Sequence, residues 1–180
     1  MGKIVNATYM SLDGDISNME DWHFEYFGDE EIKAAQDQLA EADALVMGRE
    51  TYDGFFPAWS SRAGADDFSD RMNSMKKYVV SSTLTDPEWT NTTVIGDDVA
   101  GEIRRIKQDN NLLQYGFGDV SRLMVTEGLL DEFRVWLHPV LSGKATPDQR
   151  LYRDMPQQKF TVTDVDRHAS GIVILTYTVA

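Results

Sequence analysis

Polar and apolar positions change period along this chain, and the changes divide it into elements. Residues 3–9 (KIVNATY) alternate around β-branched side chains and predict a first strand, followed by a polar loop over 13–20. Over 29–41 the apolar residues Ile32, Ala35 and Leu39 recur at helical spacing, with acids in the first turn and Asp29 placed to cap it. Residues 44–47 (ALVM) form an unbroken apolar run closed by Gly48, the pattern of a strand buried on both faces. The alternation then repeats. A helix is predicted over 66–75, strands over 78–81 and 92–95, and a helix over 99–107 with Val99, Ile103 and Ile106 on one face. A strand over 112–115 and a helix over 120–127, closed by Gly128, complete this part.

Beyond Gly128 the period becomes two. Residues 132–138 (EFRVWLH), 160–166 and 172–179 read as strands, and the last two flank His168-Ala169-Ser170-Gly171, a hairpin connection. Strand–helix alternation with an antiparallel finish predicts an α/β fold, a mixed sheet covered by helices on both faces, in one domain spanning 1–180. In such sheets ligands sit beyond the C-terminal ends of the parallel strands, where Gly48, Ser81 and Gly116 all fall.

The composition narrows the partners. The 180 residues contain no cysteine, which removes disulfides and thiolate chemistry. Seventeen Lys and Arg against 30 Asp and Glu leave a net charge of −13, a field that repels nucleic acid and anionic membranes. No apolar run reaches bilayer length, and the N-terminal segment lacks a signal-peptide plan, so a cytoplasmic protein without nucleic-acid or membrane partners is expected. The same field repels an anionic cofactor. Any phosphate site must therefore be built locally, from a few basic side chains and backbone N–H groups.

Four segments carry candidate chemistry. Met47-Gly48-Arg49-Glu50-Thr51-Tyr52 joins a buried strand to a helix start, where Gly48 admits a phosphate, Arg49 offers a planar fork and Thr51 a hydroxyl. An ordinary turn with a surface arginine reads equally well. Ser81-Ser82-Thr83 places three hydroxyls after a strand, and taken alone an ordinary polar loop is the better reading. Gly116-Phe117-Gly118-Asp119-Val120 opens a helix as a pyrophosphate cradle does, but Ser121 stands where a full dinucleotide fingerprint has its third glycine, and Asp119 reads also as a helix cap. Asp13-Gly14 follows the first strand, either as a proton-relaying carboxylate or as a surface turn. Trp22 and Phe24 offer an aromatic wall, Tyr52, Phe55, Phe56 and Trp59 a lid. His23, His138 and His168 have no metal-ligand spacing, and no metal is expected.

Together and in this order, SLDG, MGRETY, KKYVVSSTL, YGFG and GLLDEFRVWLHPVLSG resemble the dihydrofolate-reductase-like family, in the branch related to the C-terminal reductase domain of the riboflavin-pathway deaminase-reductase. The resemblance implies a three-layer α/β/α fold with a mostly parallel sheet of about eight strands, an NADPH cofactor and a homodimer. It places Gly48, Arg49 and Thr51 at the adenosine 2′-phosphate and pyrophosphate, continued by Ser81, Ser82 and Thr83, and Gly116 to Val120 at the pyrophosphate. Asp13 and Ile16 would adjoin the nicotinamide, with Asp13 as proton source, and Trp22, Tyr52 and Tyr115 the substrate. Asp131, Glu132 and Pro139 would be structural. The chain departs from the pattern at Phe117, in the second place of the glycine motif, at Tyr115, where riboflavin-pathway members carry an acid, and at Ile32, near where folate reductases carry a helix carboxylate. The resemblance thus implies hydride transfer to a C=N or C=O bond of a small pterin-, pyrimidine- or sugar-like substrate. The departures leave open a catalytically inactive nucleotide-binding homodimer serving as sensor or binding module, or a dimer whose old cofactor groove is filled by its own side chains.

Overall fold

The computed structural model describes residues 1–151, 155 and 157–179. Eight strands form one sheet in the order β4-β3-β2-β5-β1-β6-β8-β7. They are β1 (Ile4–Ser11), β2 (Ala44–Gly48), β3 (Lys76–Val80), β4 (Thr92–Ile95), β5 (Leu112–Tyr115), β6 (Glu132–His138), β7 (Phe160–Arg167) and β8 (Val173–Val179). Strands β1 to β6 run parallel, whereas β8 and β7 pair antiparallel at the end, as the change of period predicts.

Helices cover both faces. Leu39 of α1 (Asp29–Ala40), Tyr52 of α2 (Arg49–Ser60) and Met72 of α3 (Asp67–Ser74) pack on one side against Val5, Ala7, Leu45, Met47, Val79 and Leu113. On the other side α4 (Val99–Lys107) and α5 (Asp119–Thr126) bury Ile103, Ile106, Val120 and Met124 against Ile4, Val46, Leu112 and Val135. Successive strand residues point to opposite faces, so a strand covered twice must be apolar throughout, which is why ALVM carries no alternation.

Local chemistry explains where the boundaries fall. Helix α4 starts at Val99 because the Asp98 carboxylate accepts the Gly101 N–H at 3.3 Å. Asp29, expected as a cap, is instead the first residue of α1. Gly28 is the cap, and its N–H donates to the Glu31 carboxylate at 2.9 Å. Strand β3 begins two residues earlier than the pattern predicts because Lys77 is wholly buried in it, and it ends at Val80, leaving Ser81 in the turn. The HASG connection closes as predicted, with Gly171 at φ +96° and the His168 N–H donating to the Ile172 carbonyl at 3.0 Å.

Two sequence-predicted structural groups close the sheet. Asp131 accepts the Ile4 N–H at 2.7 Å and the Lys107 ammonium at 2.6 Å, and Glu132 pairs with Lys3 at 3.0 Å and with Arg134. β2 and β5 are neighbours, and the connection out of β2 runs to β3 on one side while that out of β5 runs past β1 to β6 on the other, so the two diverge there. That switch point opens a crevice at the C-terminal ends of the central strands.

Candidate functional site

Three of the four predicted segments meet at this crevice. β2 has β3 on one side and β5 on the other, so the turns after Gly48, Val80 and Tyr115 lie side by side. A Cβ on Gly48 would touch Val120 Cγ2 at 3.5 Å, which puts the start of α2 against the first turn of α5. Gly116 holds φ +75°, a left-handed conformation that side chains resist, and its N–H donates to the Ala7 carbonyl at 2.9 Å. Beyond the adjoining residues of the chain, no atom lies within 4 Å of where a Cβ on Gly116 or Gly118 would stand. The two glycines therefore leave an open hollow in front of the α5 N-terminus, whose free N–H groups favour an anion.

Phe117 does not fill that hollow. Its ring turns into the core on the α4–α5 side, 7% exposed and 5.2 Å from the Phe133 ring centroid. Asp119 is the first residue of α5 rather than its cap, and its carboxylate pairs with Arg122 at 2.8 Å. The Nε and Nη2 atoms of Arg122 are enclosed without partners, so a cation short of acceptors stands in the second turn of the cradle helix.

A buried polar network that the pattern reading missed holds the hollow in shape. Asn6 Nδ2 donates to the Gln114 side-chain oxygen and to the Gly116 carbonyl, both at 2.7 Å. Ser121 Oγ donates to Gln114 at 2.9 Å and accepts the Gly118 N–H at 3.2 Å, while Thr8 donates to Asn6 at 2.8 Å. The available signal was two polar residues, Asn6 and Thr8, on one face of a strand that is otherwise buried.

The remaining cofactor candidates sit at the same edge but not all are free. Arg49 begins α2, and its Nε lies 2.7 and 2.9 Å from the two carboxylate oxygens of Asp53, so a phosphate must draw the fork away from that partner. Thr51 is half-buried in the same turn. Ser81 Oγ accepts the N–H groups of Thr83 and Leu84 at 3.2 and 3.0 Å, which shapes the turn and leaves Ser82 and Thr83 as the exposed hydroxyls. Ile16 is half-buried against the α4–α5 core, with its N–H donating to the Gln149 carbonyl at 3.1 Å.

Asp13 has a different role from the one its position predicts. Its carboxylate accepts the Ser11 hydroxyl at 2.6 Å and the N–H groups of Ser142 and Gly143 at 2.9 and 3.0 Å. These donors, the Ser11 hydroxyl foremost, hold its pKa well below the usual carboxylate range. Asp13 thus clamps the loop after β1 to the segment after β6, and these donors favour its charged form, which carries no proton to give.

The aromatic candidates divide. Tyr52 belongs to the core: its hydroxyl accepts the Trp89 N–H at 3.2 Å and its ring stacks on Phe56, so it does not face a substrate. Trp22 is buried with its ring centroid 4.9 Å from that of His138, and its indole N–H is enclosed without a partner. Tyr115 packs 5.7 Å from the Phe55 centroid, and its hydroxyl too is enclosed and unpaired. Burial pushes that phenol far above its ordinary pKa.

The histidines, dispersed in sequence, are paired in space. His23 Nδ1 lies 3.0 Å from His138 Nε2, and His138 Nδ1 lies 2.9 Å from the Trp136 carbonyl. A carbonyl accepts only, so His138 Nδ1 carries a proton, His138 Nε2 accepts, and His23 Nδ1 donates. Burial, with His138 alongside, pushes His23 down to about 4. His168 Nδ1 lies 3.0 Å from Glu31, which also accepts from Ser170, tying α1 to the β7–β8 hairpin. Glu30, Glu31 and His168 bring ligand-type atoms within 4.8 Å of one another, and the Ala169, Gly28 and Ser170 donors already engage the two carboxylates.

Comparison with known proteins adds the lineage. The model of the RibD C-terminal domain family matches residues 3–174. The chain belongs to that family. A curated relative, the uncharacterized protein YyaP of Bacillus subtilis (strain 168), is 26% identical over 147 residues, covering 78% of this chain and 76% of that one. A riboflavin-biosynthesis-type protein from Shewanella sp. PV-4 superposes with a TM-score of 0.79 at 20% identity, over 99% of both chains. A deaminase/5-amino-6-(5-phosphoribosylamino)uracil reductase from Thermotoga maritima superposes with a TM-score of 0.70 at 14% identity, over 99% of this chain and 57% of that one. The RibD-type family and fold are those of reductase domains, and the superpositions establish the shared fold. No helix among the described residues is long and apolar enough to cross a membrane.

Proposed function

We propose that this protein is an NADPH-dependent reductase that transfers hydride to a C=N or C=O bond of a small ring substrate. The observation that carries this reading is the hollow at Gly116 and Gly118, opposite Gly48 at the switch point of the sheet, where a Cβ on either glycine would stand in open space. It suits a pyrophosphate, which needs close backbone approach and the N–H groups of a helix start. Gly48, Arg49 and Thr51 would hold the adenosine end with Ser82 and Thr83, and Gly116 to Val120 the pyrophosphate, while Arg122 offsets the acidic field of the chain. When bound, NADPH supplies the hydride. The protein positions the two reactants and excludes water, with Asp13 fixing the loop that borders the site. With Asp13 ionised, the proton comes from solvent. A binding module without turnover has its own support in the sealed Tyr115 hydroxyl, and hydride transfer to any ring substrate separates it from the enzyme.

Gly118→Asp tests the cradle. Gly118 caps α5 at φ −120° and ψ −156°, which any residue adopts, and aspartate is a favoured cap, so the melting point is expected to hold or rise. A carboxylate in the hollow repels the pyrophosphate, and NADPH affinity is expected to fall at least about tenfold, roughly 1.4 kcal/mol. Unchanged affinity would place the cofactor elsewhere.

We read the protein as a cytoplasmic homodimer joined through β7. Among the described residues that strand pairs with β8 alone, is exposed along most of its length, and presents Val162 and Val165 at 51% and 46% exposure. Light scattering behind size exclusion is expected to give twice the chain mass, and Val162→Lys a single one. A monomeric wild type at tens of micromolar would contradict it.

A further inference from the structure

Residues 19–27 lie as a flap across the C-terminal ends of β1 and β6, where Trp22 and His23 meet Tyr9 and His138. Two single-turn 3-10 helices build it, Met19–Asp21 and Phe24–Tyr26. Among the described residues its backbone hydrogen bonds all close within 18–27, so none reaches the sheet. Side-chain hydrogen bonds among the described residues tie it to the rest of the fold at two points. One is at the surface, where the Lys144 ammonium donates to Asp21 at 2.9 Å. The other is buried, the 3.0 Å bond from His23 Nδ1 to His138 Nε2. The inner side of the flap is thus held by one hydrogen bond between two titratable rings and by the aromatic packing around them.

The surroundings of the pair suit neutral rings. His23 stacks on Tyr9 with centroids 4.6 Å apart, and lies 4.7 and 5.1 Å from the rings of Phe27 and Phe24. His138 has the Trp22 ring at 4.9 Å and that of Tyr26 at 6.0 Å. Among the described residues neither imidazole pairs with a carboxylate. From β1 the ionisable neighbour is the Tyr9 phenol; along β6, beyond Trp136, it is Arg134, held by Glu132 and Glu41. α1 presents Glu31, already engaged by Ser170, Gly28 and His168, and His168 itself lies against Trp136. Asp21 and Glu25, on the flap, are exposed. Glu31 and the carbonyls of Trp136 and Met10 favour a charge on His138, but burial outweighs them. The bond between the rings also has room for a single proton, because with both rings charged an N–H faces an N–H.

We propose that residues 19–27 form an acid-released flap, freed on mild acidification when the His23–His138 bond parts, while the sheet beneath stays folded. In the opened state both rings meet water and titrate near the ordinary histidine value of about 6.5. In the closed state burial, with His138 alongside, holds His23 down at about 4. The closed value is the lower one, so closure is complete above about pH 6.5 and weakens as pH falls toward 4. His23 alone raises the opening constant about twentyfold between pH 7 and pH 5, and His138, lowered by burial as well, adds to it. The flap borders the strand ends that the reductase reading assigns to the reactants, but its release does not depend on that reading.

Hydrogen–deuterium exchange of the full chain at pH 7 and pH 5, read by mass spectrometry and corrected for the intrinsic rate at each pH, tests this. At pH 7 the amides of 19–27 are expected to exchange faster than those of β1 and β6. Addition of 1 M urea is expected to speed the strands and leave the flap unchanged, because a local opening exposes little surface. At pH 5 the flap is expected to exchange at least about twentyfold faster than at pH 7. His23→Phe keeps a ring on Tyr9 and loses the proton site, whereas His23→Asn keeps a donor for His138 without one. Either variant is expected to cut the acid acceleration at least about fivefold. Four results would each overturn the proposal: flap amides as protected as the strands, a flap as urea-sensitive as the strands, an acid acceleration below about threefold, or an unchanged acceleration in whichever variant folds.

Discussion

Replacing Lys77 with methionine is expected to cost about 3 kcal/mol of folding stability, the upper range for losing hydrogen bonds made by a charged group. The side chain is wholly buried, and its ammonium donates to the carbonyls of Asn73, Met75 and Thr90 at 2.8, 2.6 and 3.0 Å. It also lies 4.6 Å from the Trp89 ring centroid, a cation–π contact in a desolvated place. One ammonium thus joins the end of α3, the start of β3 and the loop before β4. Methionine matches much of the volume but leaves the enclosed Met75 carbonyl, and the partly buried carbonyls of Asn73 and Thr90, without this donor. Burial pushes the lysine down to about 8, so it is charged at pH 7 and the contacts are intact there. Urea unfolding at pH 7 measures the loss. A shift below about 1 kcal/mol would show that water or backbone movement replaces the ammonium.

Acid is expected to weaken the protein well before its carboxylates titrate. In the fold the His23–His138 pair is neutral and His23 sits at about 4, whereas an unfolded histidine titrates near 6.5. The folded value is depressed, so the contribution of His23 is complete above pH 6.5. It declines as pH falls toward 4, because the unfolded chain takes up a proton that the fold refuses. The full difference is worth roughly 3 kcal/mol, of which about 2 are lost by pH 4.5. Burial also lowers His138, which deepens the same trend. Unfolding free energies at pH 7 and 4.5, for wild type and His23→Phe, separate this pair from other groups. The variant is expected to show a smaller drop, and equal drops would place the acid sensitivity elsewhere.

These effects also mark where sequence pattern carries information and where it does not. The ends of β4, α4 and β5 are set by local features such as the Asp98 cap, so periodicity located them to the residue. That three of the candidate segments meet was legible because each is a strand end followed by glycine or hydroxyl residues, and a parallel sheet must gather its strand ends at one edge. The role of Asp13 was not legible, because its N–H donors lie 129 and 130 residues away in the segment after β6. The histidine pair spans 115 residues, and a metal-spacing rule looks only for near neighbours. Phe117 was ambiguous for a related reason. The chain shows a bulky residue between two glycines, and only the placement of Phe133 across the sheet decides which way the ring turns.

The hollow formed by Gly116 and Gly118 at the switch point is the centre of the functional account, and thermal melting with separate saturating NADPH, NADP+ and NADH tests it most directly. A ligand that binds only the folded state raises the midpoint according to its affinity. NADPH is expected to raise it clearly and NADH less, with the difference removed in Arg49→Ala if the guanidinium leaves Asp53 for the 2′-phosphate. No shift with any of the three dinucleotides would contradict the account, leaving a reductase fold without its cofactor site.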